Sequence, residues 1–120
     1  MKKILLIDDD QKLQLIYKDK LGNEGYETLG ALSGAAGLEL AKKEKPHLII
    51  LDILMPGLLG QDVLTAIKKD PDIGQTPVIM LTNVEDQSMD SYQKGAVWYY
   101  IKSNTSLEEI VKKITEILGQ

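Results

Sequence analysis

Five short apolar runs rich in branched residues recur along the chain, at positions 4–7, 26–31, 48–51, 78–81 and 97–101. The first, third and fourth are apolar throughout rather than alternating, which suits strands buried on both faces of a parallel sheet. Segments with helical spacing lie between them. Leu13, Ile16, Tyr17 and Leu21 predict a first helix. Leu38 and Ala41 predict a second, with Ser33 as its cap, and Val63, Leu64 and Ile67 a third. A weaker fourth helix is predicted near 86–94, where only Met89 and Tyr92 offer apolar anchors. The last helix has the clearest stripe, formed by Ile110, Val111, Ile114, Ile117 and Leu118, and Ser106-Leu107-Glu108-Glu109 before it reads as a capping box.

Strand and helix thus alternate. Right-handed crossovers then place helices on both faces of one parallel sheet. The predicted fold is α/β, a doubly wound five-stranded parallel sheet of flavodoxin-like order 2-1-3-4-5. At 120 residues the expected organisation is a single domain spanning 1–120, large enough for a core without covalent staples.

Composition narrows the chemistry. There is no cysteine, which removes disulfides and thiolate metal sites and fits a reducing compartment. The single histidine, His47, cannot build a histidine-rich zinc site. Every basic residue is lysine and the formal charge is −4, which argues against direct nucleic-acid binding. Two lysines follow Met1, but the apolar run behind them spans only 4–7, too short for a signal peptide or a membrane span. No membrane association is expected, and the expected location is cytoplasmic.

Polar residues interrupt the apolar runs at related places. Asp8 and Asp9 follow the first strand, Asp52 ends the third, Thr82 ends the fourth and Lys102 follows the fifth. All fall at carboxyl ends of predicted strands, the ligand edge of an open parallel sheet, with strands one and three flanking the switch point. Singly each has an ordinary use. One of Asp8, Asp9 or Asp10 could cap the first helix, and Thr82-Asn83-Val84-Glu85 also matches a capping box. Jointly they predict a crevice holding three carboxylates, a hydroxyl and an ammonium. Neighbouring carboxylates require a cation or raised pKa values, and a hard divalent ion such as Mg2+ suits oxygen ligands. Lys102 and Thr82 could then meet a phosphate, and a carboxylate can accept a phosphoryl group as an aspartyl phosphate.

These segments resemble the receiver domains of two-component response regulators over essentially the whole chain. The run Ile4-Leu5-Leu6-Ile7-Asp8-Asp9-Asp10 is similar to the family's acidic-pair strand. Leu51-Asp52-Ile53-Leu54-Met55-Pro56-Gly57, with Gly60, is similar to its phosphoacceptor loop. Pro77-Val78-Ile79-Met80-Leu81-Thr82 resembles its fourth strand, and Gly95-Ala96 followed by Tyr99 and Lys102 its fifth. The resemblance implies that Asp52 is the phosphoacceptor. It also implies that Asp9 binds Mg2+ directly, Asp8 through water, and that the backbone carbonyl of Leu54 is a further ligand. Thr82 and Lys102 would hold the phosphoryl oxygens, Thr82 and Tyr99 would form the switch, and the donor would be a sensor histidine kinase or a phosphotransfer protein. On this reading the chain is a phosphoacceptor signalling domain of a phosphorelay rather than an enzyme acting on outside substrates.

Two positions depart from the family pattern: Ser103 replaces the usual proline after the lysine, and Asn83 replaces a small residue after the threonine. A non-proline cis bond costs ~2.5–4 kcal/mol, so a trans Lys102-Ser103 bond is expected. Rival readings fit less well. A haloacid-dehalogenase-like phosphatase has a second Asp where Leu54 stands, and a flavin-phosphate loop would be repelled by Asp8-Asp9-Asp10. A receiver-like module that works without phosphorylation would not need the full set of chemical residues. On the fifth strand, period two places Trp98 and Tyr100 on one face and Tyr99 and Ile101 on the other. Trp98 could simply pack under a neighbouring helix; the functional expectation is that Trp98, Tyr100 and Tyr92 form a partly exposed aromatic patch. Its expected partner is a downstream effector or a second copy, held by the face of the fourth helix, fifth strand and fifth helix.

Overall fold

The computed structural model describes residues 1–53, 60–82, 95–101 and 105–119. Five parallel strands form one sheet in the order β2-β1-β3-β4-β5. They are β1 (Lys3–Ile7), β2 (Glu27–Ala31), β3 (Leu48–Asp52), β4 (Val78–Thr82) and β5 (Trp98–Ile101). The described helices are α1 (Gln11–Asn23), α2 (Gly34–Glu44), α3 (Gly60–Lys69) and the C-terminal α4 (Leu107–Leu118). The helix expected near 86–94 lies outside the described residues.

The apolar runs explain the layering. Ile4 to Ile7, Leu48 to Leu51 and Val78 to Leu81 have no solvent exposure, as runs without polar interruption require when helices cover both faces. Leu5, Ile7, Ile49, Leu51, Val78 and Met80 face α2 and α3, where they meet Ala41, Val63, Leu64 and Ile67. The alternate residues Ile4, Leu6, Leu48, Ile50, Ile79 and Leu81 face α1 and α4, where they meet Tyr17, Leu21, Ile110, Val111 and Ile114. Period two within each strand thus feeds two separate cores.

The helix signals act as expected at two of the starts. Ser33 Oγ accepts from Ala36 N–H (3.2 Å) at the N-cap of α2. Before α4, Ser106 Oγ accepts from Glu109 N–H (3.2 Å) while Glu109 Oε1 accepts from Ser106 N–H (3.4 Å), closing the capping box. Two details differ from the sequence reading. The second apolar run contributes its first residue, Tyr26, to the core from just outside β2; its hydroxyl lies 3.4 Å from Thr115 Oγ1. On α1, Tyr17 and Leu21 are buried and Leu13 is half-buried, but Ile16 is exposed. The inner face of that helix includes Gln14 instead, because the helix begins beside backbone carbonyls at the end of the sheet that need donors.

Candidate functional site

The carboxyl ends of β1 and β3 lie side by side, with Ile7 opposite Leu51 in register. The residues just beyond these partners are Asp8 and Asp52. Asp8 is fully buried and Asp52 nearly so, whereas Asp9 is exposed. One carboxylate oxygen from each of Asp8, Asp9 and Asp52 lies within 4.8 Å of those of the other two. At the upper limit of that separation two unit charges in a protein environment of effective dielectric about 20 repel by roughly 3.5 kcal/mol. The donors are all hard oxygens, two of them held in the interior, so the chemistry of the set fits a divalent cation such as Mg2+.

Local backbone structure fixes these side chains. Asp8 N–H donates to Ala31 O (3.0 Å), and Asp8 Oδ1 accepts from Asp10 N–H (3.0 Å). Asp10 serves as the cap left open by the sequence: its Oδ1 accepts from Lys12 N–H (2.9 Å) and Leu13 N–H (3.2 Å) at the start of α1. Asp10 is therefore committed to the helix and stands outside the carboxylate cluster. Behind the cluster, burial and secondarily the Asp8 charge push the Tyr17 phenol well above its ordinary pKa, so it stays neutral.

Asp52 is held from the other side. Ile53 N–H donates to Leu81 O (3.0 Å), extending the β3–β4 ladder past Asp52. Gly60 N–H donates back to Ile53 O (2.8 Å), so α3 begins directly against the end of β3. A side chain at Gly60 would meet the carbonyl oxygen of Asp52 and place its Cβ 2.5 Å from Ile53 Cα. Glycine is needed there by space rather than by a special backbone angle.

Thr82 ends β4 next to β3, as the sequence predicts. Lys102, Leu54, Asn83, Ser103 and Tyr92 lie outside the described residues, and so does the Lys102-Ser103 bond. Tyr99 is half-buried and packs against the core under α2 and α3, whereas Tyr100 packs on the core under α1 and α4. Tyr99 and Tyr100 thus alternate as predicted for β5, while the side chain of Ile101 lies outside what the structure describes. Trp98 is 38% exposed, with its ring edge-on to Tyr100 at a centroid distance of 6.5 Å. Lys113 of α4 sets its ammonium 3.9 Å above the Trp98 ring, and Tyr100 Oη donates to Glu109 O (3.2 Å). Lys113 was not legible in the sequence, because its contact with Trp98 depends on how α4 lies beside β5.

A sequence profile described as the response regulator receiver domain matches residues 4–115. The chain belongs to the receiver domains of response regulators. Over 118 residues it is 35% identical to the probable transcriptional regulator ycf27 of Porphyridium aerugineum, covering 97% of this chain and 48% of that protein. It thus spans about half the length of that relative. With the polar-differentiation response regulator DivK of Brucella ovis it is 28% identical, over 98% of this chain and 97% of the relative. Among solved structures, the response regulator TrrA of Thermotoga maritima, crystallised in complex with Mg(2+)-BeF, superposes with a TM-score of 0.86 at 32% identity. That match covers 97% of this receiver domain and 98% of TrrA. No helix among the described residues is long and apolar enough to cross a membrane.

Proposed function

We propose that this receiver domain, spanning 1–120, is a cytoplasmic phosphorylation switch in which Asp52 is the phosphoacceptor. The observation that carries this reading is the convergence of Asp8, Asp9 and Asp52 at the ends of β1 and β3. Asp52 is the member of that group on the central strand, and its carboxylate oxygen is the nucleophile. It attacks phosphorus while the bond from phosphorus to the donor's imidazole nitrogen breaks, and the nitrogen keeps the bonding pair. The donor is a sensor histidine kinase or a phosphotransfer protein, and a small acyl phosphate can stand in for it. The chain acts as a signalling phosphoacceptor rather than by turnover of outside substrates.

Asp9, Asp52 and the Leu54 carbonyl would hold Mg2+ directly, with Asp8 through water, in keeping with the Mg(2+)-BeF complex of TrrA. When bound, the ion offsets negative charge on the carboxylates and the phosphoryl oxygens. Thr82 and Lys102 complete the reading as hydrogen-bond donor and point charge for those oxygens. The output follows from Thr82 and Tyr99 biasing two arrangements of the β4–β5 edge, which differ in their interaction with the phosphoryl group. The exposed Trp98, with Tyr100 beside it and Tyr92 as an expected neighbour in the patch, would bind an effector or a second copy of the domain.

Incubation with acetyl phosphate should give one acid-labile phosphate per chain in the presence of Mg2+ and none in excess chelator. Equal incorporation in both conditions would contradict the metal's role. No incorporation in either would favour a module that works without phosphorylation.

A further inference from the structure

One polar side chain near the acidic cluster has no part in the chemistry above. Gln14, half-buried on α1, aims its amide nitrogen at three backbone carbonyls: Leu6 O, Asp8 O and Ala31 O, each at 3.0 Å. Leu6 and Asp8 flank the last residue of β1, and Ala31 is the last residue of β2. Ala31 O already accepts from Asp8 N–H at 3.0 Å. The β1–β2 ladder therefore stops at Asp8, and the amide takes over where no further strand residue donates. Two amide hydrogens serve three acceptors, so the carbonyls are gathered around one point and share them.

These bonds clamp the peptide unit that leads into Asp9. Asp8 and Asp9 supply two of the three clustered carboxylates, and the direction of both follows from the backbone at this turn. We propose that Gln14 is a positioning residue of the metal site: it fixes the end of β1 so that Asp8 and Asp9 meet Asp52 before the ion arrives. Metal ligands are held in direction by such outer partners, here through main chain rather than through the ligands' own oxygens. The helix start and the clamp are coupled, since Asp10 caps α1 and Gln14 lies on its first turns.

Gly30 gives independent access to the same clamp. A Cβ at Gly30 would stand 3.1 Å from Gln14 Cδ and closer still to Gln14 Oε1. Gly30 lies on the edge strand β2 and is exposed, and the three nearest atoms that an alanine there would meet all belong to the Gln14 amide.

The proposal rests on the acidic cluster being a Mg2+ site, and the test separates the two. Mg2+ affinity is measured by calorimetric titration of the folded full chain, beside urea unfolding of the metal-free protein. Gln14→Met keeps length and shape but removes the donors. It should weaken Mg2+ binding about tenfold, the lower end of what loss of an outer partner does to a metal site. Its acetyl phosphate labelling should slow at low Mg2+ and return to the parent rate at saturation. Gly30→Ala should weaken binding in the same direction by a smaller factor, and the double variant should bind no worse than Gln14→Met alone. A purely structural role would lower the urea midpoint and leave the Mg2+ affinity of the folded protein unchanged, which would overturn the proposal. Full additivity of the two substitutions would overturn it as well. If Gln14→Met fails to fold, Gly30→Ala alone decides by the same readout. A parent protein that binds no Mg2+ would sink the metal reading and this proposal with it.

Discussion

The two ends of interest are built on different principles. The acidic crevice at β1 and β3 lies at the middle of the sheet, and two of its three carboxylates are buried. It is held through its main chain: Asp8 N–H bonds Ala31 O, the Gln14 side chain gathers three backbone carbonyls, and Gly60 brings α3 against Asp52. The aromatic edge at β5 and α4 is held by side chains, with Trp98 partly in water, Tyr100 edge-on to it and Lys113 above. Backbone positioning in the interior leaves almost no freedom, as a site that must present reactive atoms requires. Contacts among partly exposed side chains are individually weak and can rearrange, as the proposed output surface would require.

Substitution should separate the regions sharply. Gly60→Ala forces a Cβ against the Asp52 carbonyl and Ile53 Cα, backbone atoms that cannot swing aside. Overpacking of this kind costs ~3 kcal/mol, and phosphorylation should slow as well because the end of β3 must shift. Urea unfolding and acetyl phosphate labelling check both effects; a variant unchanged in either would show the crevice to be softer than described.

Trp98→Ala should do the reverse. A Trp hot spot is worth more than about 1 kcal/mol of binding, so phosphorylation-dependent association should weaken about tenfold while labelling proceeds at the parent rate. Sedimentation or pull-down with phosphorylated protein measures the first and phosphate incorporation the second. Association that survives unchanged would move the output surface elsewhere.

The smallest expected effect is at Lys113, a half-buried residue whose ammonium lies over Trp98 and also pairs with Glu116 (3.2 Å). Lys113→Met should lower stability by only ~1 kcal/mol and leave labelling untouched, in line with a partly exposed cation–π contact. A loss as large as that of Gly60→Ala would erase the contrast between the regions.

Legibility in the sequence follows the same division. The strands 4–7, 48–51 and 78–81 could be read because unbroken apolar runs have few other homes. Asp8, Asp9 and Asp52 could be read as a group because strand ends in a doubly wound sheet share one edge. Gln14 could not, since a glutamine on a polar helix looks like any solvated residue until the sheet beneath it exposes carbonyls. The same cause misplaced the apolar stripe of α1, which includes Ile16 in the sequence reading and leaves it in solvent in the structure. Lys113 was hidden for another reason: nothing local links it to Trp98, and only the packing of α4 beside β5 brings them together.

Phosphoryl acceptance at Asp52 can be checked by locating the modified residue. The chain is labelled with acetyl phosphate and Mg2+, and the modified residue is located by peptide mass spectrometry, in parallel with Asp52→Asn. A single aspartyl phosphate is expected at Asp52, with no stoichiometric labelling of the variant. Undiminished labelling of Asp52→Asn, or a phosphate mapped to another residue in the parent, would contradict it.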